Sequence, residues 1–322
     1  MKCVVIAAFA LASAFVGRVS AEPKQLSEER TPDYYRWHAG LSAGGLVASI
    51  VSERLLRNHG SGPYWHSFHG DDLVELNFSD SAAALSDKVL LTTVLLPVAT
   101  QMSVGFDTSM GNATLVYAEA HSLNLALTVA TKLIARRPRP YTRSESPRIV
   151  EFKAGQGSDA YVSFFSGHAS ASFTAASAGS VLYSMRTDDL WARHTVWTVE
   201  FLLAGMTAQL RVRAGRHYRS DIWVGSLVGA GIGVLVPALH ELPLSRIRGT
   251  EVAAAGAATV VTMGLSELVD FCGILGAIGL CSLPRDVRVP MIARAEPPSP
   301  SSWLVLPAVF DGGGGLQVSG SL

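Results

Sequence analysis

The run from Leu210 to Asp221 holds the residues best suited to chemistry, because it places Arg211, His217 and Asp221 between two apolar segments. A carboxylate four residues after a histidine can hold the imidazole in one tautomer, which makes the other ring nitrogen a better nucleophile or base. A planar guanidinium matches the oxygens of a phosphate with two parallel hydrogen bonds. The run therefore indicates phosphate chemistry at a histidine. The alternative is that these residues only cap the start of a helix at the protein surface.

Two further polar groups stand at the ends of apolar segments. Lys132 and Arg139 lie beside two prolines, Pro138 and Pro140, and these prolines must end the preceding helix. Ser166, Gly167 and His168 come directly before a helix rich in small residues, and Ser166 is a suitable N-cap. The amides after it would point out of a helix N-terminus, which binds phosphate readily.

In chain order the three groups read Lys-x6-Arg-Pro, Ser-Gly-His and Arg-x5-His-x3-Asp. This set resembles the three signature motifs of the type 2 phosphatidic acid phosphatase and vanadium haloperoxidase superfamily. The resemblance covers roughly residues 85–240, and residues 36–56 would supply the first helix of the bundle. It implies an all-α fold, a bundle of about six core helices.

The resemblance also implies a role for each motif residue. His217 would attack phosphorus and become phosphorylated, and Asp221 would hold its ring. His168 would protonate the leaving oxygen and afterwards activate water. The phosphoryl oxygens would be bound by Lys132, Arg139, Ser166, Gly167 and Arg211. The family's phosphatases work without a metal, so we expect no metal ligands and no cofactor in this site, although vanadate could occupy it.

The chain departs from the family pattern at two positions. Phe165 stands where a proline usually precedes Ser-Gly-His, and Leu210 stands where a serine usually precedes the arginine of the third motif. Both residues would line the pocket wall and so affect substrate choice.

Four more arginines lie beside the motif residues. They would support the phosphate ligands, contact a lipid headgroup, or be solvated loop charges: Arg136, Arg137, Arg213 and Arg216.

Composition favours a membrane-embedded or unusually apolar helical protein and gives no sign of nucleic-acid binding. The 322 residues have a formal net charge of zero. Charged residues make up 16%, against about 25% in an average globular protein. Residues 1–21 have the charged, apolar and small-residue regions of a secretory signal peptide. We therefore expect export to the cell envelope, with membrane association favoured over a soluble periplasmic location.

The predicted organisation after residues 1–21 is a polar lead over 22–35 and a helical bundle over 36–250, with the motif core at 85–240. Extra apolar helices follow over 251–295, and a linker and tail with a small β-hairpin occupy 296–322. Glycines at 225, 229 and 233 indicate close helix packing and not a nucleotide loop. The predicted helices are Trp37–Leu56, Asp87–Phe106 interrupted at Pro97, Ala113–Ala135, Ala169–Met185, Thr195–Leu210 and Ile222–Leu239.

Other polar residues carry less information. The spacing of Glu119, His121 and Asn124 indicates that part of their helix faces a polar interior or water. The loop His59–Ser79 matches no metal-ligand pattern, so a solvated loop is expected for its polar residues, which are His66, His69, Asp71 and Asp72. Cys272 and Cys281 could form one disulfide, and the sequence does not decide whether they meet.

The hypothesis is a metal-independent phosphatase that hydrolyses phosphate monoesters, lipid phosphates or lipid diphosphates through a phosphohistidine. The alternatives are a vanadate-dependent haloperoxidase and a non-catalytic phospholipid-binding envelope protein. If every helix after a cleaved signal peptide spans the membrane, the motifs fall on the cytoplasmic side, whereas the family's membrane members usually work on the outer face. Either the Trp37–Leu56 helix does not cross, or the bundle is soluble in the periplasm.

Overall fold

The protein is described from a computed structural model over residues 26, 31–58, 71, 76–264, 287–289, 304–310 and 313–319. The chain divides after Val289 into two compact units. The described part of the first unit is helical apart from a three-residue strand pair, which confirms the all-α prediction. Its α-helices are α1 Pro32–Asn58, α2 Asp80–Val104, α3 Thr108–Ala135, α4 Pro147–Ala154, α5 Gly167–Arg186, α6 Leu190–Arg213, α7 Arg219–Leu239 and α8 Gly249–Thr259.

The long helices begin before the apolar segments that predict them, because polar residues cap them. The side chain of Ser79 accepts a hydrogen bond from the amide of Ala82 at the start of α2. Asp107 and Asp189 cap α3 and α6 in the same way. A capping side chain satisfies an amide that the first helical turn leaves without a partner, so the first turn need not be apolar.

One sequence-based expectation about the helices is wrong. The helix α2 is not interrupted at Pro97 but continues through it to Val104. A proline removes one backbone donor, and the packing of α2 against α5 and α6 compensates for that loss. The connection before Ser166 contains α4, which the apolar pattern does not predict, and two 3₁₀ turns, Pro140–Arg143 and Gly157–Tyr161. Pro147 at the start of α4 is a helix-initiating signal that the apolar pattern does not show.

The helix α5 lies at the centre of the bundle and packs against α2, α3, α6 and α7. Nearly all of its side chains are buried, and most of them are alanine, serine or glycine. The glycines of α7 allow the closest approach, since a Cβ added at Gly229 would lie 2.1 Å from the carbonyl oxygen of Ser170. The helix-packing interpretation of these glycines is therefore confirmed.

The directions of the helices bring the motif residues to one end of the bundle. Lys132 and Arg211 lie in the last turns of α3 and α6, and His168 lies in the first turn of α5. His217 precedes the first turn of α7. The helix α1 runs lengthwise beside α3, with the hydroxyl of Ser122 donating to the carbonyl of Ser42 at 2.6 Å.

Within the described ranges, α2 and α7 are the two helices long and apolar enough to cross a membrane.

The region 251–295 begins with α8 and a π-helical turn, Val260–Gly264. In the second unit, Leu304–Phe310 (β3) and Gly313–Ser319 (β4) pair as an antiparallel hairpin, as expected. In the first unit, Leu76–Phe78 (β1) pairs with Val287–Val289 (β2). The predicted signal peptide and both remaining cysteines, Cys272 and Cys281, lie outside the described residues.

Candidate active site

The ring of His217 is buried and held in a single tautomer by two neighbours. Its Nδ1 lies 2.8 Å from the carbonyl oxygen of Ser163, and its Nε2 lies 3.2 Å from Nη1 of Arg139. A guanidinium only donates hydrogen bonds, so Nε2 must be the acceptor and Nδ1 must carry the proton. The lone pair of Nε2 therefore points toward a cationic group, which is suited to binding the oxygens of a phosphate ester.

Electrostatics keep this ring neutral. Burial lowers the pKa of His217 well below its ordinary value, and the charges of Arg139, Arg211 and Lys132 lower it further. A neutral imidazole is the nucleophilic form. The ring is thus neutral at neutral pH, and Nε2 carries no proton that a base would have to remove.

Asp221 lies behind this ring. Its Oδ2 is 3.6 Å from Nδ1 of His217. The same oxygen accepts hydrogen bonds from the Ser163 hydroxyl at 2.6 Å and from the amide of Tyr218 at 2.9 Å. The carboxylate thus positions the segment whose carbonyl holds the ring, and it caps the first turn of α7.

A buried charge network supports Asp221 from further back. Arg137 is 1% exposed and forms ion pairs with both Asp221 and Asp71. The hydroxyl of Ser220 donates to Asp71 at 2.6 Å. The expectation of a solvated loop is therefore wrong for Asp71, because a buried cation pairs with it, while His66, His69 and Asp72 lie outside the described residues.

His168 lies at the open side of the site. Its side chain is 29% exposed, against 2% for His217, and its Nε2 is 2.8 Å from Oδ1 of Asp87 on α2. Burial lowers the pKa of His168, and the hydrogen bond to Asp87 opposes that effect. Asp87 therefore favours the protonated ring that a general acid needs.

The three cations of the motifs surround the same space. Arg139 donates to the carboxylate and the carbonyl of Asp159 at 2.9 and 2.8 Å. Arg211 lies 3.4 Å from Asp87. Burial lowers the pKa of Lys132 to about 8, and the charge of Arg139 contributes to this. Burial and the charge of Arg139 also lower the pKa of Arg211, and a bound phosphate dianion would relieve this repulsion between like charges.

The Ser166–Gly167 corner has the predicted helix-start geometry. The buried hydroxyl of Ser166 accepts from the amide of Ala169 at 3.3 Å, which confirms it as the N-cap of α5. A Cβ added at Gly167 would lie 3.6 Å from Nζ of Lys132 and 3.2 Å from a methyl group of Thr128. Glycine therefore leaves room for an anion between the helix N-terminus and the lysine.

The remaining arginines differ from one another. Arg137 is buried behind Asp221, as described above. Arg216 lies over the ring of Phe152 at 4.0 Å and pairs with Asp80 at 3.2 Å. Arg136 caps α3 in a left-handed conformation, with its amide donating to the carbonyl of Lys132. Arg213 is half-buried in the last turn of α6.

Sequence reasoning missed the groups that pair with the motif residues. They are two carboxylates and one backbone carbonyl: Asp87, Asp159 and Ser163. The partners of Asp87 and Ser163 lie 81 and 54 residues away along the chain. No local spacing reveals such pairs. Asp87 was visible only as the polar start of a predicted apolar segment.

Comparison with known proteins agrees with this geometry. Residues 113–242 match the family model described as the PAP2 superfamily, and this segment runs from α3 through α7 with all three motifs. No curated protein and no solved structure matches the chain. Members of the superfamily are phosphatases that act on phosphorylated substrates, or enzymes of the haloperoxidase type. In this segment, the chain is therefore similar to the PAP2 superfamily.

Proposed function

We propose that the protein is a phosphohydrolase that cleaves phosphate monoesters, lipid phosphates or lipid diphosphates through a phosphohistidine at His217. The observation that carries this proposal is the fixed tautomer of His217, whose Nε2 lone pair lies 3.2 Å from the guanidinium of Arg139. A neutral nucleophile beside converging cations is what phosphoryl transfer requires, because positioning and charge stabilisation provide most of its catalysis.

In the first step, Nε2 of His217 forms a bond to phosphorus while the bond from phosphorus to the leaving oxygen breaks. His168 gives its proton to that oxygen. In the second step, His168 takes a proton from water as the water oxygen attacks phosphorus and the nitrogen–phosphorus bond breaks. Inorganic phosphate leaves, and both histidines return to their starting states.

The carboxylates Asp87 and Asp159 occupy the positions of counter-ions in this mechanism. Asp87 contacts both His168 and Arg211, and Asp159 contacts Arg139. Both are more than half exposed and can turn toward solvent. We expect phosphoryl oxygens to replace these contacts when substrate binds, so that the motif cations pass from one anionic partner to another.

A lipid substrate is supported by the outer surface of the bundle. The two candidate spanning helices, α2 and α7, both begin at the end that holds the site. Each presents exposed leucines along its outer face, namely Leu91, Leu95, Leu227, Leu235 and Leu239. A membrane around these helices would place the site near a lipid headgroup layer.

The test is phosphate release by the purified protein in EDTA from an aryl phosphate, phosphatidic acid and a polyprenyl diphosphate. We expect release from at least one of them, and its loss in His217→Ala. The matched control is His194→Ala, because His194 contacts Thr250 and the carbonyl of Leu190 away from the site. Peroxidase activity that appears only with vanadate, or phosphate binding without turnover, would instead favour one of the two alternatives.

A further inference from the structure

A second cluster of titratable side chains lies outside the candidate active site. It joins His38 of α1, Glu119 of α3 and His240 at the end of α7. Nδ1 of His38 and Nε2 of His240 lie 2.7 and 3.0 Å from the same oxygen, Oε2 of Glu119. The three atoms all lie within 4.8 Å of one another. Two imidazoles thus converge on one carboxylate.

This set of donors is a zinc-type set. Two histidines and one carboxylate form a common three-residue Zn²⁺ site, with bonds of about 2.0–2.2 Å. Tetrahedral geometry with such bonds separates the ligand atoms by about 3.3 Å. The observed contacts of 2.7 and 3.0 Å would need to open by only a few tenths of an ångström. Side-chain rotation can provide that change.

Neighbouring groups hold the two imidazoles in place. The hydroxyl of Tyr34 is hydrogen-bonded to Nδ1 of His240, which leaves Nε2 to face Glu119. The ring of His38 lies between those of Tyr34 and His240, with centroids 4.3 Å from each. Histidines that bind metals usually engage their second nitrogen in this way, because that contact fixes the ring orientation.

The burial of the cluster suits an ion that reaches it from solvent. The side chain of His240 is 3% exposed, that of Glu119 is 16% exposed and that of His38 is 23% exposed. The site is closed on the bundle side and open beside α1. Water can therefore supply the fourth ligand.

We propose that His38, Glu119 and His240 bind a divalent transition-metal ion of the Zn²⁺ type, which ties α1 to α3 and to the end of α7. The 13 residues of α3 between Glu119 and Lys132 span about 20 Å. The metal site is thus at the other end of the bundle and takes no part in phosphoryl transfer. His38 and His240 lie 81 and 121 residues from Glu119 along the chain, which is why no sequence spacing indicated this site.

The experiment uses the full chain, stripped with a chelator and dialysed. Zn²⁺ titration by calorimetry should show one tight site per chain, and Co²⁺ should give the visible absorption of a tetrahedral complex. The variants Glu119→Gln and His240→Ala should lose both signals. Zn²⁺ should raise the Tm of the wild type and leave that of Glu119→Gln unchanged, since only the form with an intact site gains from the ion.

The control His194→Ala should bind Zn²⁺ as the wild type does. If the Glu119 and His240 variants fold poorly, the milder His38→Ala, which alters the most exposed of the three side chains, gives the same comparison. Absence of tight Zn²⁺ and Co²⁺ binding in the wild type would overturn the proposal, leaving a hydrogen-bond network only. Binding that survives in all three variants would also overturn it. Neither result depends on phosphatase activity.

Discussion

At the residue scale, a backbone carbonyl and an arginine decide which nitrogen of His217 carries the proton. The carbonyl of Ser163 accepts a hydrogen bond from Nδ1, and Asp221 lies 3.6 Å from Nδ1 and accepts a hydrogen bond from the Ser163 hydroxyl. Asp221 is therefore better described as a positioning residue. The motif spacing predicted a carboxylate near the ring, but it could not show a carbonyl whose position depends on the fold of the preceding loop.

The general-acid role of His168 predicts a dependence on the leaving group. His168→Ala should slow the cleavage of an alkyl phosphate by about 10²- to 10⁴-fold, the usual contribution of a general acid. The loss should be much smaller for a nitrophenyl phosphate, whose leaving oxygen needs no proton. Steady-state kinetics on the two substrates measures this, and an equal loss on both would contradict the role.

The surroundings of His168 predict the pH profile. The acid must be protonated, so kcat/KM should fall as pH rises through the pKa of His168, which burial places below its ordinary value. Asp87 from α2 raises this pKa, whereas Arg211 from α6 and Lys132 from α3 lower it. Asp87→Asn should therefore move the falling limb to lower pH.

The matched control is Asp80→Asn on the same helix, whose carboxylate pairs with Arg148 and Arg216 instead. Its falling limb should stay where the wild-type limb lies. A limb that does not move in Asp87→Asn, in a protein that still turns over, would show that another group limits activity at high pH.

At the element scale, the site depends on how closely α5 and α7 approach. Helices of the bundle were predictable because apolar runs with small residues mark them. The end of α3 followed from the prolines after it, and the start of α5 followed from Ser166. The short α4 was missed, since its eight residues carry no apolar period of their own. The paired carboxylates Asp87 and Asp159 were missed because only the packing of helices brings them to the motifs.

A pair of glycines on α7 tests this approach. Gly229→Ala would place a Cβ 2.1 Å from the Ser170 carbonyl, whereas Gly231 has nothing within 4 Å. We expect Gly229→Ala to cost about 1–3 kcal/mol of unfolding free energy, the usual cost of overpacking, and to reduce kcat. Gly231→Ala should stabilise by up to about 1 kcal/mol, because alanine favours the helix. Denaturant unfolding of both variants measures this, and equal effects would contradict the packing.

At the scale of the whole molecule, the first unit separates its two clusters along the bundle. The phosphate site lies at the ends of α3 and α6 and the starts of α5 and α7, whereas His38 and Tyr34 near the start of α1 contact His240 at the end of α7. The helix α1 thus runs from the far end toward the site. If the bundle spans a membrane, the start of α1 and the site face opposite sides.

The apolar outer faces predict how the protein fractionates. Large apolar side chains are exposed on α1, α2 and α7, including Trp37, Leu95 and Leu227. We expect the protein to stay with membranes through high-salt and alkaline washes and to be released by detergent, because apolar contacts are insensitive to charge screening. Quantitative recovery in the soluble fraction without detergent would contradict membrane association and favour the periplasmic alternative.

The central claim is that phosphorus becomes covalently bound to His217. The measurement is rapid quenching in alkali of the wild type with radiolabelled substrate, followed by peptide mapping, with His217→Ala and His194→Ala in parallel. We predict a label that is stable to alkali and labile to acid, on the peptide containing His217, in the wild type and in His194→Ala but not in His217→Ala. Turnover that continues in His217→Ala, or a label on another residue, would contradict the account.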